Sequence, residues 1–182
     1  MNLNIEELIV GCKNKDASAQ KQLYNQYKSV LFSICRRYIN VSEDAEDVLI
    51  EAFVKIFEKV EDYKSEGSFE GWMKRIAVNE ALMFLRKKRK ILNELSETHY
   101  EISEEPHYDD EFDELKILEL FDKLPDGYRT ILNLYVVEGY KHKEIAEILG
   151  ISINTSKSQL ILARKRMQDI IKSNLGVKSQ NQ

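Results

Sequence analysis

The segment 133–167, NLYVVEGYKHKEIAEILGISINTSKSQLILARKRM, constrains the fold more than any other part of the chain. Within 140–149, Ile145, Ala146, Ile148 and Leu149 recur at helical spacing. Gly150 ends that helix, because a residue with no Cβ takes the left-handed conformation there without steric cost. Ser152 is placed to cap the next helix, its hydroxyl accepting a backbone N–H that has no intrahelical partner. Two helices joined by a tight Gly-containing turn form the arrangement that sets a recognition helix into a DNA major groove. An ordinary helical hairpin in a bundle gives the same pattern. On the second helix, Ile153, Leu160, Met167 and Ile171 are spaced to face inward. Asn154, Lys157, Ser158, Ile161, Leu162 and Lys165 are spaced to face outward. The outward Ile161–Leu162 pair needs a partner, for which thymine methyls are one candidate. Arg164, Lys165 and Arg166 can reach phosphate, although a basic solvated helix end complementing the macrodipole explains the same charges.

Two prolines, seven glycines and 32% charged residues in 182 suit a mostly helical chain of one domain or two small ones. No apolar run approaches the length of a membrane span, and MNLNIEELIV lacks the basic n-region and cleavage site of a signal peptide. No membrane insertion is therefore expected. Cys12 and Cys35 have no metal-ligand spacing and no disulfide framework, which fits reduced, partly buried thiols in a cytoplasmic protein. The net charge of −4 conceals a strong segregation. Residues 70–93 carry seven Lys/Arg against two acids, a local +5. Residues 94–122 carry twelve acids against one lysine, a local −11. Residues 141–172 carry seven Lys/Arg against three acids, a local +4. Two basic segments with an acidic one between them suggest two separate polyanion contacts, whatever the overall acidic balance.

The N-terminal half reads as four helices. The first, 5–12, is short. Asp16 can cap a long second helix through Ile39, with Leu23, Tyr27, Val30, Leu31 and Ile34 along it. Ser42 begins a third, with Ala45, Leu49, Ala52, Ile56 and Val60 on one face. Ser68 begins a fourth, with Phe69, Trp72, Met73, Ile76 and Phe84 apolar. No alternating strand pattern of useful length occurs. Residues from about 92 to 113 offer few core candidates and read as a linker. A second helical unit follows, with Pro125 tolerated at a helix start.

Two of these helices have surfaces that one core does not explain. On the third, Asp44, Asp47, Glu51, Lys55 and Glu58 lie opposite the core side, and Ile50, Val54 and Phe57 widen the apolar arc. Such a surface suits a protein partner with basic and apolar groups, or a neighbouring helix of a small bundle. On the fourth, Arg75, Asn79, Leu82, Arg86 and Lys90 recur at spacings of four, three, four and four and make one stripe. Its cations can hold phosphates and Asn79 can hydrogen-bond a base edge. The preceding DYKSEGSFEGW, a polar loop with two glycines beside aromatics, could accept an unstacked base. Packing explains Trp72, and a solvated face explains the charge run, without nucleic acid.

No catalytic constellation, metal-ligand set or phosphate loop accompanies His99, His107 and His142, so no enzyme activity, metal or cofactor is expected.

Taken together, these residues resemble the sigma factors of bacterial RNA polymerase, in the compact extracytoplasmic-function (ECF) group. DAEDVLIEAFVKIF resembles the segment that docks on the polymerase β′ subunit, SFEGWMKRIAVNEALMFLRKKRK the promoter-melting and minus-ten-reading segment, and LPDGYRTILNLYVVEGYKHKEIAEILGISINTSKSQLILARKRM the minus-thirty-five-reading domain. The resemblance implies an all-α chain of two small helical domains joined by an acidic flexible linker. Residues 1–92 would form the polymerase-docking and minus-ten domain, 93–113 the linker, 114–175 the helix-turn-helix domain and 176–182 a tail. It implies as partners core RNA polymerase, through its β′ and β subunits, promoter DNA, and in some cases an anti-sigma factor. It assigns polymerase docking to Asp44, Asp47, Ile50, Glu51 and Val54. The minus-ten element falls to Ser65, Ser68, Phe69, Arg75, Asn79, Leu82, Arg86 and Lys90. The minus-thirty-five element falls to Asn154, Thr155, Lys157, Ser158, Ile161, Leu162 and Lys165. Departures from the family pattern are specific. Ile50 stands where Gln is common, making that contact apolar. Met83 replaces a frequent Asp. Gln159 and Leu162 stand where Arg is frequent, which lowers phosphate affinity. A stand-alone helix-turn-helix regulator is the alternative that would bind a duplex without polymerase. A helical adaptor would bind neither.

Overall fold

The computed structural model describes residues 3–95 and 114–174, with side chains over 3–88 and 118–173. The described residues are helical, with no strand among them, and fall into two compact units, one within Met1–Ile102 and one within Ser103–Gln182.

In the first unit, α1 (Ile5–Lys13) starts at a reciprocal cap: Glu7 N donates to Asn4 Oδ1 and Asn4 N to Glu7 Oε2. Asp16 starts α2 (Ala17–Tyr38), its carboxylate accepting from Ser18 N at 2.7 Å and Ala19 N at 3.4 Å. Gly11 lets these helices meet, since a Cβ built on it would overlap that of Ala19. Helix α3 (Ser42–Lys59) buries Ala45, Leu49, Ala52 and Ile56 as its periodicity predicts, and a short 3₁₀ turn, Val60–Asp62, follows. Helix α4 (Phe69–Leu95) packs on α2 and α3 through Met73, Ala77, Val78, Ala81 and Leu82. It continues to Leu95, past the expected linker start at 93. The remaining linker, 96–113, and the tail lie outside the described residues. On α2, Leu23, Leu31 and Ile34 are buried, whereas Val30 is exposed. Cys12 and Cys35 are free and buried among apolar side chains. Burial pushes their thiols up to about 11 and about 12, respectively, so at neutral pH they pack as small neutral groups.

The second unit contains α5 (Glu114–Asp122), α6 (Asp126–Leu132), a π-helical turn at Asn133–Val137, α7 (His142–Leu149) and α8 (Ile153–Asn174). Pro125 precedes α6. Helix α7 begins at His142, later than the expected 140, because Gly139 at φ 75° turns the chain first. The Glu144 carboxylate then accepts the Lys141 N–H at 2.7 Å. Gly150 is left-handed, at φ 66°, and ends α7. Ser152 Oγ accepts Thr155 N at 2.9 Å and caps α8. Both helix ends thus lie where the local chemistry predicts them.

The inward face of α8 differs from the expected one. Ser156, Leu160, Ala163 and Ile170 are buried and Met167 is half-buried, while Ile153 and Ile171 are exposed. The reason is tertiary. Ser156 sits under α7 with its Oγ 3.0 Å from His142 Nδ1, so a small hydroxyl fills a core position that an apolar count passes over.

Candidate functional site

Three helix faces carry the candidate residues. On α3, Ile50 and Val54 stay 55% and 44% exposed, beside exposed Asp47 and Glu51. Among the described residues no neighbouring helix buries either apolar side chain, so packing within the bundle does not account for them. Phe57 differs: it is half-buried, its ring 5.9 Å from that of Phe53. Asp44 stands apart from the group, because Lys88 of α4 reaches it at 3.0 Å. That pair ties α3 to α4. It also removes one lysine of RKKRK from the set of free cations.

On α4 the expected stripe divides. Arg75, Asn79 and Arg86 are exposed. Leu82 is 4% exposed and belongs to the core, whereas Met83 beside it is 56% exposed. At 3.6 residues per turn, Leu82 and Met83 flank the arc of Arg75, Asn79 and Arg86 on opposite sides, Leu82 on the side of buried Val78 and Met83 on the other. Met83 is the surface residue that the spacing argument missed; a spacing of four, four and three from Arg75 selects it. The Lys90 side chain lies outside the described residues.

The loop before α4 holds Ser65, at φ 60°, and Ser68, both exposed. Ser68 Oγ accepts Gly71 N at 3.0 Å and so caps the helix. Phe69 is not in the loop but buried at the start of α4. Its ring stacks on Trp72 at 5.3 Å and meets Tyr63 edge-on at 4.9 Å. The Tyr63 hydroxyl donates to Gly67 O at 2.7 Å. Phe69 therefore supports the loop from beneath and does not offer a face to a base. Trp72 is half-buried in the same cluster.

On α8, Asn154, Thr155, Lys157, Ser158, Ile161, Leu162 and Lys165 are all exposed, as the spacing predicts. Thr155 is partly committed, since its Oγ1 lies 2.8 Å from Ser152 Oγ within the cap. Ser158 Oγ donates to Thr155 O at 3.1 Å, which leaves its lone pairs outward. Arg164 is also committed: its guanidinium lies 5.6 Å from the Tyr135 ring, which stacks on His142 at 4.6 Å. With the His142–Ser156 contact this makes a brace between the π turn, α7 and α8. Elsewhere in the unit Arg129, 1% exposed, donates to Leu124 O at 2.8 Å and Asp126 Oδ1 at 3.2 Å, with Asp122 Oδ1 at 3.8 Å. Sequence spacing marks neither group, because both depend on contacts made across the unit.

Among the described residues no group of three or more His, Cys, Asp or Glu side chains could hold a metal ion. No helix among them is long and apolar enough to cross a membrane.

Comparison with known proteins gives concordant matches. Residues 23–91 match the family model Sigma-70 region 2, and residues 114–167 match Sigma-70, region 4. The chain is 34% identical over 144 residues to the RNA polymerase sigma factor SigV of Bacillus subtilis, spanning 78% of this chain and 84% of that protein. It is 28% identical over 156 residues to the ECF RNA polymerase sigma factor SigE of Mycolicibacterium smegmatis, spanning 82% of this chain and 60% of that longer one. Its fold is similar to that of the sigma factor RpoE from Bartonella quintana, solved with the anti-sigma factor NepR. That match has a TM-score of 0.54 at 22% identity and covers 84% of this chain and 96% of that one.

Proposed function

Because this chain belongs to the ECF group of bacterial RNA polymerase sigma factors, the proteins that direct promoter-specific transcription initiation, we propose how its surfaces divide that work. The first unit docks on core polymerase through Asp47, Ile50, Glu51 and Val54 of α3. The observation that carries this reading is the exposure of Ile50 and Val54 beside the two acids Asp47 and Glu51. Exposed apolar side chains ringed by carboxylates suit a partner with apolar and basic groups, and the carboxylates disfavour direct contact with DNA. Asp44 acts indirectly, by holding Lys88 and fixing α3 against α4.

The opposite sign of charge lies on α4. Arg75 and Arg86 hold phosphates, Asn79 addresses a base edge, and Met83 adds an apolar contact at the minus-ten element. Ser65 and Ser68 edge the loop where an unpaired base is received, with Phe69 supporting from below. The second unit reads the minus-thirty-five element through Asn154, Lys157, Ser158, Ile161, Leu162 and Lys165 of α8, whose N-terminal end enters the groove. Residues 1–92 and 114–175 are the two functional domains, and the acidic segment between them tethers both to the polymerase. The polymerase carries the chemistry, and this chain contributes binding energy alone. The Bartonella relative was solved with an anti-sigma factor, and a protein of that class is a fitting regulator here too.

Reversing one charge tests the docking surface. Asp47→Lys sets a cation against a basic partner, at a cost on the order of 2–5 kcal/mol. It should weaken core-polymerase binding by at least tenfold while helical content stays at the wild-type level. Unchanged affinity of the folded variant for core polymerase removes the docking role from this face.

A further inference from the structure

The most exposed large apolar pair in the second unit's recognition helix is Ile161 and Leu162, at 68% and 45%. On α8, Ile161 lies one turn above Lys157 and one turn below Lys165, with Asn154 and Ser158 on the same side. Lys157 and Lys165 make no ion pair among the described residues. The apolar patch is therefore two side chains wide and enclosed by free cations, an amide and a hydroxyl. A stable protein partner needs about 800 Å² on each side with an apolar centre, far more than two side chains supply. A duplex fits better. Phosphates accept the lysines on either side, and the floor of the major groove presents one apolar group, the thymine C5-methyl.

We propose that Ile161 and Leu162 read thymine methyl groups in the major groove, so that the minus-thirty-five element of this sigma factor carries thymine where these side chains meet it. The inference rests on the placement of α8 on that element and adds the chemistry by which it discriminates. Neither side chain has a hydrogen-bonding atom, so neither can distinguish bases by donor and acceptor pattern. Discrimination arises because a methyl buried against a branched side chain leaves water, and cytosine in its place has no methyl to bury. Ser158, whose proton is donated to Thr155 O, keeps only acceptor positions facing outward.

Replacing thymine by uracil removes the methyl and preserves base pairing. The experiment uses holoenzyme assembled from the full chain and core polymerase, on a promoter mapped from its own transcripts. Uracil is placed only in the minus-thirty-five element, and affinity is measured at two salt concentrations. Wild-type holoenzyme should lose about three- to fivefold in affinity per contacted thymine. The ratio should be the same at both salts, because no phosphate contact changes. An Ile161→Ser, Leu162→Ser double variant should bind both duplexes equally. If serine lowers helical content, Ile161→Ala with Leu162→Ala takes its place. Equal affinity of wild-type holoenzyme for the two duplexes overturns the methyl reading. So does a double variant that still discriminates, or one that loses core polymerase without DNA and thereby marks the pair as a protein contact. Lys157→Ala separates the two levels. If it weakens binding while uracil has no effect, α8 lies in the groove but does not read methyls. If it is silent and the element shows no footprint, the placement of α8 itself fails.

Discussion

Replacing Arg129 by alanine should unfold the second unit at a temperature where the first is intact. Arg129 is 1% exposed, and its guanidinium holds the α5–α6 junction through Leu124 O at 2.8 Å and Asp126 Oδ1 at 3.2 Å. Alanine removes a charge-assisted hydrogen bond to a carbonyl, a contribution of about 1.5–3 kcal/mol, and leaves a void where the aliphatic stem packed. Breaking a fully buried ion pair costs about 3–5 kcal/mol. Here the acids are more open, at 29% for Asp122 and 59% for Asp126, and water can reach them once the arginine is gone. The expected loss is therefore near the lower end, about 3 kcal/mol. For a unit of this size each kcal/mol moves the midpoint by roughly 4–8 °C, which gives a fall on the order of 15 °C. Trp72 is the chain's one tryptophan and lies in the first unit. Its fluorescence should keep the wild-type midpoint while far-UV circular dichroism shows an added early transition. Arg129→Met, which refills the stem volume, should lose less than half as much. A single transition unchanged from wild type, or a Trp72 transition displaced with it, refutes the bracing role.

Two other perturbations address function. Lys157→Ala should weaken promoter binding by the holoenzyme and lower the log–log salt slope by about one unit, as loss of one phosphate contact requires; a footprint and slope equal to wild type remove Lys157 from the interface. Replacing Glu101, Glu104, Glu105, Asp109 and Asp110 by serine and asparagine keeps length while removing five charges from the segment between the units. If that segment occupies a basic nucleic-acid channel of the polymerase, holoenzyme weakens and the ratio of abortive to full-length RNA changes; equal affinity and transcript pattern reduce the segment to a tether.

Much of the fold was legible because its signals are local. Asp16, Gly150 and Ser152 mark helix ends through their own side-chain or backbone chemistry, and each is used as that chemistry predicts. Apolar periodicity gives Ala45, Leu49, Ala52 and Ile56 of the α3 core face, to which packing adds Val48 and Phe53. What spacing could not resolve lies at the margins of an arc or depends on another helix. Leu82 and Met83 lie on opposite margins of the Arg75–Asn79–Arg86 stripe, and only packing against α2 and α3 decides which is buried. Phe69 reads both as an apolar residue of the fourth helix and as part of the base-receiving loop, and only its enclosure by Tyr63 and Trp72 decides for the first. Ser156 and Arg129 are polar in sequence yet buried, because His142 and the Leu124 carbonyl meet them. The outer face of α8 was readable for the opposite reason: among the described residues no neighbour within its unit competes for it.

The central claim is that this chain gives promoter specificity to a polymerase that lacks it. The direct measurement is transcription in vitro by core RNA polymerase on genomic DNA, with and without the purified chain, with the 5′ ends mapped. With the chain added, transcripts should start at a small set of sites that share paired upstream sequence elements, and the chain alone should protect none of them. An unchanged set of 5′ ends, or sequence-specific protection of a duplex by the chain without polymerase, contradicts the account.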